Sequence, residues 1–120
     1  MKTLKVLLAV LLLTAFGSAA TVTAQVSSQT STKKTETFKV WGNCSMCKDR
    51  IEKAVKEEGA TEASWNQKTK MLTVTFDPSK TNKDVLSKKL ASVGHDTEKY
   101  KAPDDVYEKL PSCCHYERSK

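Results

Sequence analysis

The chain has 120 residues, of which 38% are hydrophobic, and it carries a formal net charge of +6. This length allows one small domain and excludes a large enzyme that carries out several steps. The positive excess is too mild to require nucleic acid as a partner, and we predict no binding to nucleic acid.

Residues 1–24 have the three parts of a secretory signal peptide. Lys2 and Lys5 provide the positive start, an apolar run of 11 residues follows over 6–16, and small side chains lead up to Ala24. The alternative is a membrane anchor, but a helix of this length spans only about 16 Å of a hydrocarbon core about 30 Å thick. We therefore predict export to the periplasm or the extracellular space, and a mature form without a membrane span.

Three further segments follow the predicted signal peptide. Residues 25–35 are rich in Ser, Thr, Gln and Lys, a composition that cannot bury a core and predicts a flexible linker. The folded core is predicted over residues 36–101, where the apolar periodicity is clear. Residues 102–120 form a C-terminal tail, in which Pro111 ends a short helix over 104–110. We predict that this tail lies outside the main fold.

Periodicity along the core predicts strands and helices in the order β-α-β-β-α-β. Apolar residues alternate with polar ones over 36–41, 60–65 and 71–76, which is typical of half-buried strands. Spacings of three and four between apolar residues predict a helix between the first two strands, beginning at Cys47 and ending at Gly59.

A second helix and a short last strand complete the predicted core. The helix begins after Thr81 or Asn82, either of which can cap it, and ends at Gly94. Residues 97–101 can supply a short edge strand. The fold class is therefore α+β: a ferredoxin-like βαββαβ sandwich in which a four-stranded antiparallel sheet carries two helices on one face. The residues predicted to face the core are Phe38, Val40, Ile51, Ala54, Val55, Ala63, Trp65, Leu72, Val74, Phe76, Val85, Leu86, Leu90 and Val93.

A pair of cysteines lies where the first strand meets the first helix. Two thiolates spaced as in Cys44-x-x-Cys47 can bind one soft cation together. Cys47 stands at the start of the helix, where free N–H groups and the helix dipole favour a thiolate, and Lys48 and Arg50 add positive charge. In an oxidising compartment the same pair could instead be an inert disulfide or a redox pair. The spacing alone leaves these three interpretations open.

Together with the predicted element order, these residues make the chain resemble the heavy-metal-associated domain family. The family comprises small ferredoxin-like modules of copper chaperones, of periplasmic mercury-binding proteins and of the amino-terminal parts of P-type ATPases. The resemblance covers about residues 36–101. The motifs that carry it are Cys44-x-x-Cys47, Ile51-x-x-Ala54-Val55, Leu72-Thr73-Val74-Thr75-Phe76-Asp77 and Gly94-His95-Asp96. It implies that Cys44 and Cys47 bind one soft metal ion, with Cu(I) favoured and Hg(II) or Zn(II) as alternatives.

The resemblance implies an exported carrier or scavenger of a metal ion, not an enzyme. The chain has no carboxylate pair at a recognisable spacing, no glycine-rich phosphate loop and no nucleophile triad. We expect a monomer that exchanges its ion with a donor or acceptor protein, such as a metal-transporting ATPase or a membrane transporter. The alternative is a periplasmic thiol–disulfide oxidoreductase that uses the same cysteine pair.

Two positions depart from the family pattern. Gly42 stands where the family has a methionine that packs into the core, and Trp41 and Met46 are expected to compensate. His95 stands where tyrosine or lysine is common, in a loop close to the metal. It is therefore either a solvated loop residue or a third ligand.

Four more side chains are candidate ligands. The thioether of Met46 suits Cu(I), unless Met46 is simply a loop residue. The tail contributes Cys113, Cys114 and His115. These three could hold a second ion, or complete the first site as a tetrahedral Zn(II) or Cd(II) centre. They could equally form a disulfide or remain free thiols, and the sequence leaves the choice open.

Overall fold

The structure is a computed structural model that describes residues 32–120. The predictions for residues 1–24 and for most of the linker lie outside the described residues. Within residues 32–120, no helix is both long enough and apolar enough to cross a membrane.

Three antiparallel strands form the sheet, with β3 in the middle: β1 (Lys34–Lys39), β2 (Ala60–Trp65) and β3 (Met71–Phe76). The register places Phe38 of β1 and Trp65 of β2 opposite Leu72 of β3, one on each side. Paired residues point to the same face of a sheet, so all three side chains face the core, and all three are buried. The alternation predicted for these strands is confirmed.

The two main helices lie where the sequence predicted them: α1 (Ser45–Glu57) and α2 (Lys83–Ser92). The Asn82 side chain caps α2 by accepting a hydrogen bond from the backbone N–H of Val85 at 3.0 Å. Gly59 and Gly94 follow the helices at φ angles of 107° and 105°, in the left-handed region that glycine adopts without strain. Two short elements lie in the tail: α3 (Asp104–Glu108) and a 3₁₀ turn (Ser112–Cys114).

Most of the side chains predicted for the core are buried. The exceptions, which are half-buried or exposed, are Ala63, Val93 and Val85. The placement of Val85 in the core is wrong, because the buried stripe of α2 is formed instead by Leu86, Ser87, Leu90 and Ala91. At 3.6 residues per turn, Val85 lies on the side of the helix opposite to this stripe and is 38% exposed.

The predicted edge strand over residues 97–101 is reduced to a single pair. One antiparallel bridge joins Val40 to Thr97. The backbone N–H of Thr97 then donates to the Tyr100 carbonyl at 2.8 Å, so the chain turns back and the ladder does not continue. The βαββαβ order and the ferredoxin-like class are confirmed, with this bridge in the place of the fourth strand.

The C-terminal tail is part of the fold, so the prediction that it lies outside is wrong. Leu110, Cys114 and Tyr116 are buried in the same core as the sheet and the helices. Leu110 covers Gly94 so closely that a Cβ on this glycine would lie 2.9 Å from the leucine side chain. The apolar residues of the tail follow neither a helical nor a strand period, so the sequence gives no local indication of this packing.

Polar contacts hold the tail against the loop that follows α2. The Tyr116 hydroxyl donates to the Gly94 carbonyl at 2.7 Å and accepts from the Asp96 N–H at 2.9 Å. Arg118 donates to both carboxylate oxygens of Asp96, at 2.9 and 3.0 Å. Burial alone would raise the pKa of Asp96, but the Arg118 guanidinium lowers it below its usual value. The tail is thus anchored after Cys114 by these contacts, and before it by the leucine packed on Gly94.

Candidate metal centre

Three cysteine sulfur atoms meet where β1 leads into α1. Cys44 precedes α1, Cys47 lies in its first turn, and Cys114 ends the 3₁₀ turn of the tail. The Cys44 Sγ lies 3.6 Å from that of Cys47 and 3.5 Å from that of Cys114, and the three atoms lie within 4.8 Å of one another. All three are free thiols. Sulfur ligands at this spacing suit a soft ion such as Cu(I).

A buried tryptophan occupies the space beside the loop glycine. A Cβ on Gly42 would lie 2.9 Å from the Trp65 ring and 3.2 Å from the Cys47 Cβ. Trp65 is buried, and its Nε1–H donates to a backbone carbonyl at 3.0 Å. Trp65 of β2, rather than Trp41 or Met46, therefore fills the space that Gly42 leaves, which corrects the expectation from the sequence.

The three clustered thiols differ in pKa. Desolvation alone would raise the pKa of Cys44, but the Cys47 N–H and hydrogen bonds with the neighbouring thiols lower it to about 7. Burial raises the pKa of Cys47 to about 11, and it also raises the pKa of Cys114. Cys44 therefore has the largest thiolate fraction near neutral pH, and it is also the half-exposed member of the cluster.

Two polar side chains connect the α1 region to the tail. Arg50 donates from Nη1 to the Cys114 Sγ at 3.4 Å, so its positive charge lies beside the sulfur cluster. Asn43 donates from Nδ2 to the Cys113 carbonyl at 3.2 Å. The sequence predicted Arg50 only as a source of positive charge near Cys47, and its contact with the tail was missed.

Two more sulfur atoms lie at the exposed rim of the cluster. The Cys113 Sγ is 3.5 Å from the Met46 Sδ and 3.9 Å from the Cys114 Sγ. Met46 is 49% exposed, and Cys113 is exposed as well. Cys113 therefore lies beside Cys114, and Met46 lies beside Cys113, and neither side chain is buried among the three thiols.

Among the described residues, neither histidine joins the group of three thiols. His95 is fully buried, its Nδ1 donates to the Trp41 carbonyl at 2.9 Å, and its ring stacks on Tyr116. The expectation of a solvated loop histidine is therefore wrong. Desolvation is the main reason that the pKa of His95 falls to about 4, so the ring is neutral at pH 7. His115 is exposed, and its ring centroid lies 5.1 Å from that of Tyr107.

The family model of the heavy-metal-associated domain matches residues 37–96, half of the chain. This chain belongs to that family. The matched segment contains Cys44 and Cys47 but ends before the tail, so Cys113 and Cys114 lie outside it. Family membership and the cluster of three thiols both support metal binding and transfer as the function of this heavy-metal-associated domain.

Several known proteins are similar to this heavy-metal-associated domain. A copper-exporting P-type ATPase of Staphylococcus saprophyticus is 36% identical over 56 residues, which cover 46% of this chain and 7% of the ATPase. The chain thus spans a small part of that relative. The CopZ metallochaperone is 27% identical with a TM-score of 0.51, and the match covers 53% of this chain and 98% of CopZ. Oxidized MerP from Ralstonia metallidurans CH34 is 32% identical with a TM-score of 0.52, over 55% of this chain and 94% of MerP.

Proposed function

We propose that this protein is an exported carrier or scavenger of a soft metal ion, Cu(I) in the first place. It binds the ion through Cys44 and Cys47 and passes it on by ligand exchange. The observation that carries the proposal is the pair of sulfur atoms 3.6 Å apart at the start of α1, in a chain of the heavy-metal-associated family. The preference for Cu(I) rests on the softness of the sulfur ligands and on the copper-exporting and CopZ relatives.

Ligand exchange begins at the thiol that a partner can reach. Cys44 is half-exposed, whereas Cys47 is buried in the core. An incoming thiolate from an acceptor protein therefore attacks the ion from the side of Cys44, which is released first. Cys47 is released last, because its sulfur becomes accessible only as the ion leaves. No electron is transferred in these steps, since each one replaces one metal–sulfur bond by another.

The partner and the location follow from different observations. Similarity to a copper-exporting P-type ATPase supports a metal-transporting ATPase or another membrane transporter as donor or acceptor. Export rests on the signal-peptide pattern of residues 1–24, which lie outside the described residues. We place the protein, as a monomer, in the periplasm or the extracellular space.

Native mass spectrometry tests the binding and the export in one preparation. The protein is expressed with its own first 24 residues, recovered from the bacterial periplasm, reduced, and titrated with Cu(I), Zn(II) and Hg(II). We expect cleavage after Ala24 and one retained Cu(I), which is lost in Cys44→Ser. The matched control is Ser45→Ala, an exposed neighbour that should retain the ion. A reduced wild-type protein that retains no soft ion refutes the proposal.

A thiol–disulfide oxidoreductase is the second candidate function, and one observation favours it. Cys44 has a pKa of about 7 and lies beside a buried cysteine, as a nucleophile with its resolving partner would. The Cys44 thiolate would attack a substrate disulfide, and Cys47 would then release the reduced substrate and leave a Cys44–Cys47 disulfide. Catalysed reduction of insulin disulfides by dithiothreitol, abolished in Cys44→Ser, would support this function. As a carrier, the protein should not accelerate that reaction.

A further inference from the structure

The tail places a third sulfur atom beside the family's cysteine pair. Cys114 lies outside the segment that the family model matches, and it follows Cys44 by 70 residues. Its Sγ nevertheless lies 3.5 Å from the Cys44 Sγ, and its side chain is buried in the core. The contact therefore comes from the docking of the tail and not from the Cys-x-x-Cys motif.

We propose that Cys114 is a third ligand of the metal ion, so that the bound ion has three thiolates in a trigonal arrangement. This inference rests on the proposed function, because it assigns an additional ligand to the same soft-ion site. It distinguishes this chain from a carrier that holds its ion through the pair Cys44 and Cys47 alone.

The distances between the sulfur atoms favour three ligands over two. With metal–sulfur bonds of about 2.3 Å, a trigonal ion places its sulfur atoms about 4.0 Å apart, and a linear ion places them about 4.6 Å apart. The Cys44 Sγ lies 3.6 and 3.5 Å from the other two, and all three lie within 4.8 Å. Trigonal binding therefore requires only small side-chain shifts, whereas linear binding requires the Cys44–Cys47 pair to separate by about 1 Å.

A positive side chain lies where the third thiolate needs one. Three thiolates around Cu(I) leave two negative charges in excess, and burying such charge is costly unless it is paired. Arg50 donates to the Cys114 Sγ at 3.4 Å from a half-buried position. Its guanidinium cannot lose its proton at physiological pH, so it offsets the charge of the Cys114 thiolate at all relevant pH values.

The fold holds the third sulfur atom in place before any ion binds. Leu110 and Tyr116 anchor the tail on the two sides of Cys114, and the Arg118–Asp96 ion pair adds a further anchor. A ligand that is already positioned loses little conformational freedom on binding, and this raises affinity. The tail therefore contributes to affinity through rigidity as well as through its sulfur atom.

The neighbouring cysteine provides a matched control. Cys113 is exposed, and its Sγ lies 3.5 Å from the Met46 Sδ and 3.9 Å from the Cys114 Sγ. Like Cys114, it is a cysteine of the tail, and the two are adjacent in the chain. They differ in that Cys113 is exposed and Cys114 is buried. We therefore assign Cys113 to the rim of the site and Cys114 to the ion.

Competition titrations separate the two cysteines. The full protein as purified is reduced, freed of reductant and titrated without oxygen with Cu(I) against a coloured chelator. We expect Cys114→Ser to retain one Cu(I) but with an affinity lowered about tenfold or more, and Cys113→Ser to change the affinity by less than about threefold. Equal affinities for Cys114→Ser and the wild type, or an equal loss in Cys113→Ser, would overturn the inference. Failure of the wild type to bind would instead reject the proposed function.

A spectroscopic measurement on the wild type does not depend on the folding of a variant. Copper X-ray absorption counts the sulfur neighbours of the bound ion, and the removal of reductant ensures that no added thiol contributes one. We expect three sulfur neighbours in the wild type and in Cys113→Ser. Two neighbours in a protein that still retains Cu(I) would overturn the third ligand while leaving the carrier function in place.

Discussion

Replacing His95 by phenylalanine should remove part of the acid sensitivity of the fold. A carbonyl oxygen can only accept, so Nδ1 of His95 donates to the Trp41 carbonyl and Nε2 carries no proton. Nε2 is buried and has no hydrogen-bond partner among the described residues. Desolvation is the main cause that lowers the pKa of His95 from 6.5 to about 4, although the bond to Trp41 opposes it.

The sign and size of the effect follow from this difference in pKa. Between pH 6.5 and about 4, His95 binds a proton in the unfolded chain but not in the folded chain. The contribution of neutral His95 to the free energy of unfolding is therefore complete above this range and is lost as the pH falls through it. At about 1.36 kcal/mol per pH unit, the whole difference amounts to about 3 kcal/mol. About 2.5 kcal/mol of this is lost between pH 7.5 and pH 4.5.

Urea unfolding, followed by tryptophan fluorescence at pH 7.5 and 4.5, measures this loss. The unfolding free energy of the wild type should fall by about 2.5 kcal/mol more than that of His95→Phe between the two pH values. Carboxylates distant from His95 titrate in both proteins and therefore cancel in the comparison. His115→Phe, a change at the exposed histidine, should keep the wild-type dependence. Parallel losses in the wild type and His95→Phe would refute the reasoning.

Three further experiments test the docked tail, the loop glycine and metal loading. Tyr116→Phe leaves a buried carbonyl and a buried N–H without their hydroxyl partner. The free energy of unfolding, measured with urea at pH 7, should therefore fall by about 2–4 kcal/mol, and a fall below about 0.5 kcal/mol would contradict the docking. Gly42→Ala should cost about 1–3 kcal/mol in thermal unfolding, because its Cβ would clash with Trp65, and an unchanged Tm would show that the loop has room. Free Cu(I) at about a hundred times its Kd should add about 2.7 kcal/mol to the free energy of unfolding of the reduced protein, and it should add nothing in Cys44→Ser. A Tm of the wild type that Cu(I) does not change would argue against specific binding.

Local patterns predicted most of the fold. The strands follow the alternation of apolar residues, because successive side chains of a strand point to opposite faces. Gly59 and Gly94 follow the ends of the two helices, as expected from residues that adopt a positive φ without strain. Asn82 caps α2 because its short side chain reaches the free N–H groups of the first turn. Each of these features depends on residues that are close together in the chain.

The errors lie where contacts between distant segments decide the outcome. The edge strand stops after Thr97 because a local turn to Tyr100 takes its backbone N–H. Val85 matched the expected apolar stripe by residue type, but the orientation of α2 against the sheet places Ser87 in the core instead. The prediction that the tail lies outside the fold is wrong because an aperiodic segment gives no local indication of what it packs against.

The sequence by itself determined one part of the metal centre, the pair Cys44 and Cys47. Cys44 and Cys47 are separated by two residues at the start of a helix, so one turn of backbone brings their sulfur atoms together. The position of the third thiol, Cys114, was decided only by the tertiary structure. Cys114 reaches the pair because Tyr116 and its neighbours dock the tail on the loop after α2, and the same docking buries His95. Contacts that span 70 residues depend on how whole elements pack, and no spacing within a motif encodes them.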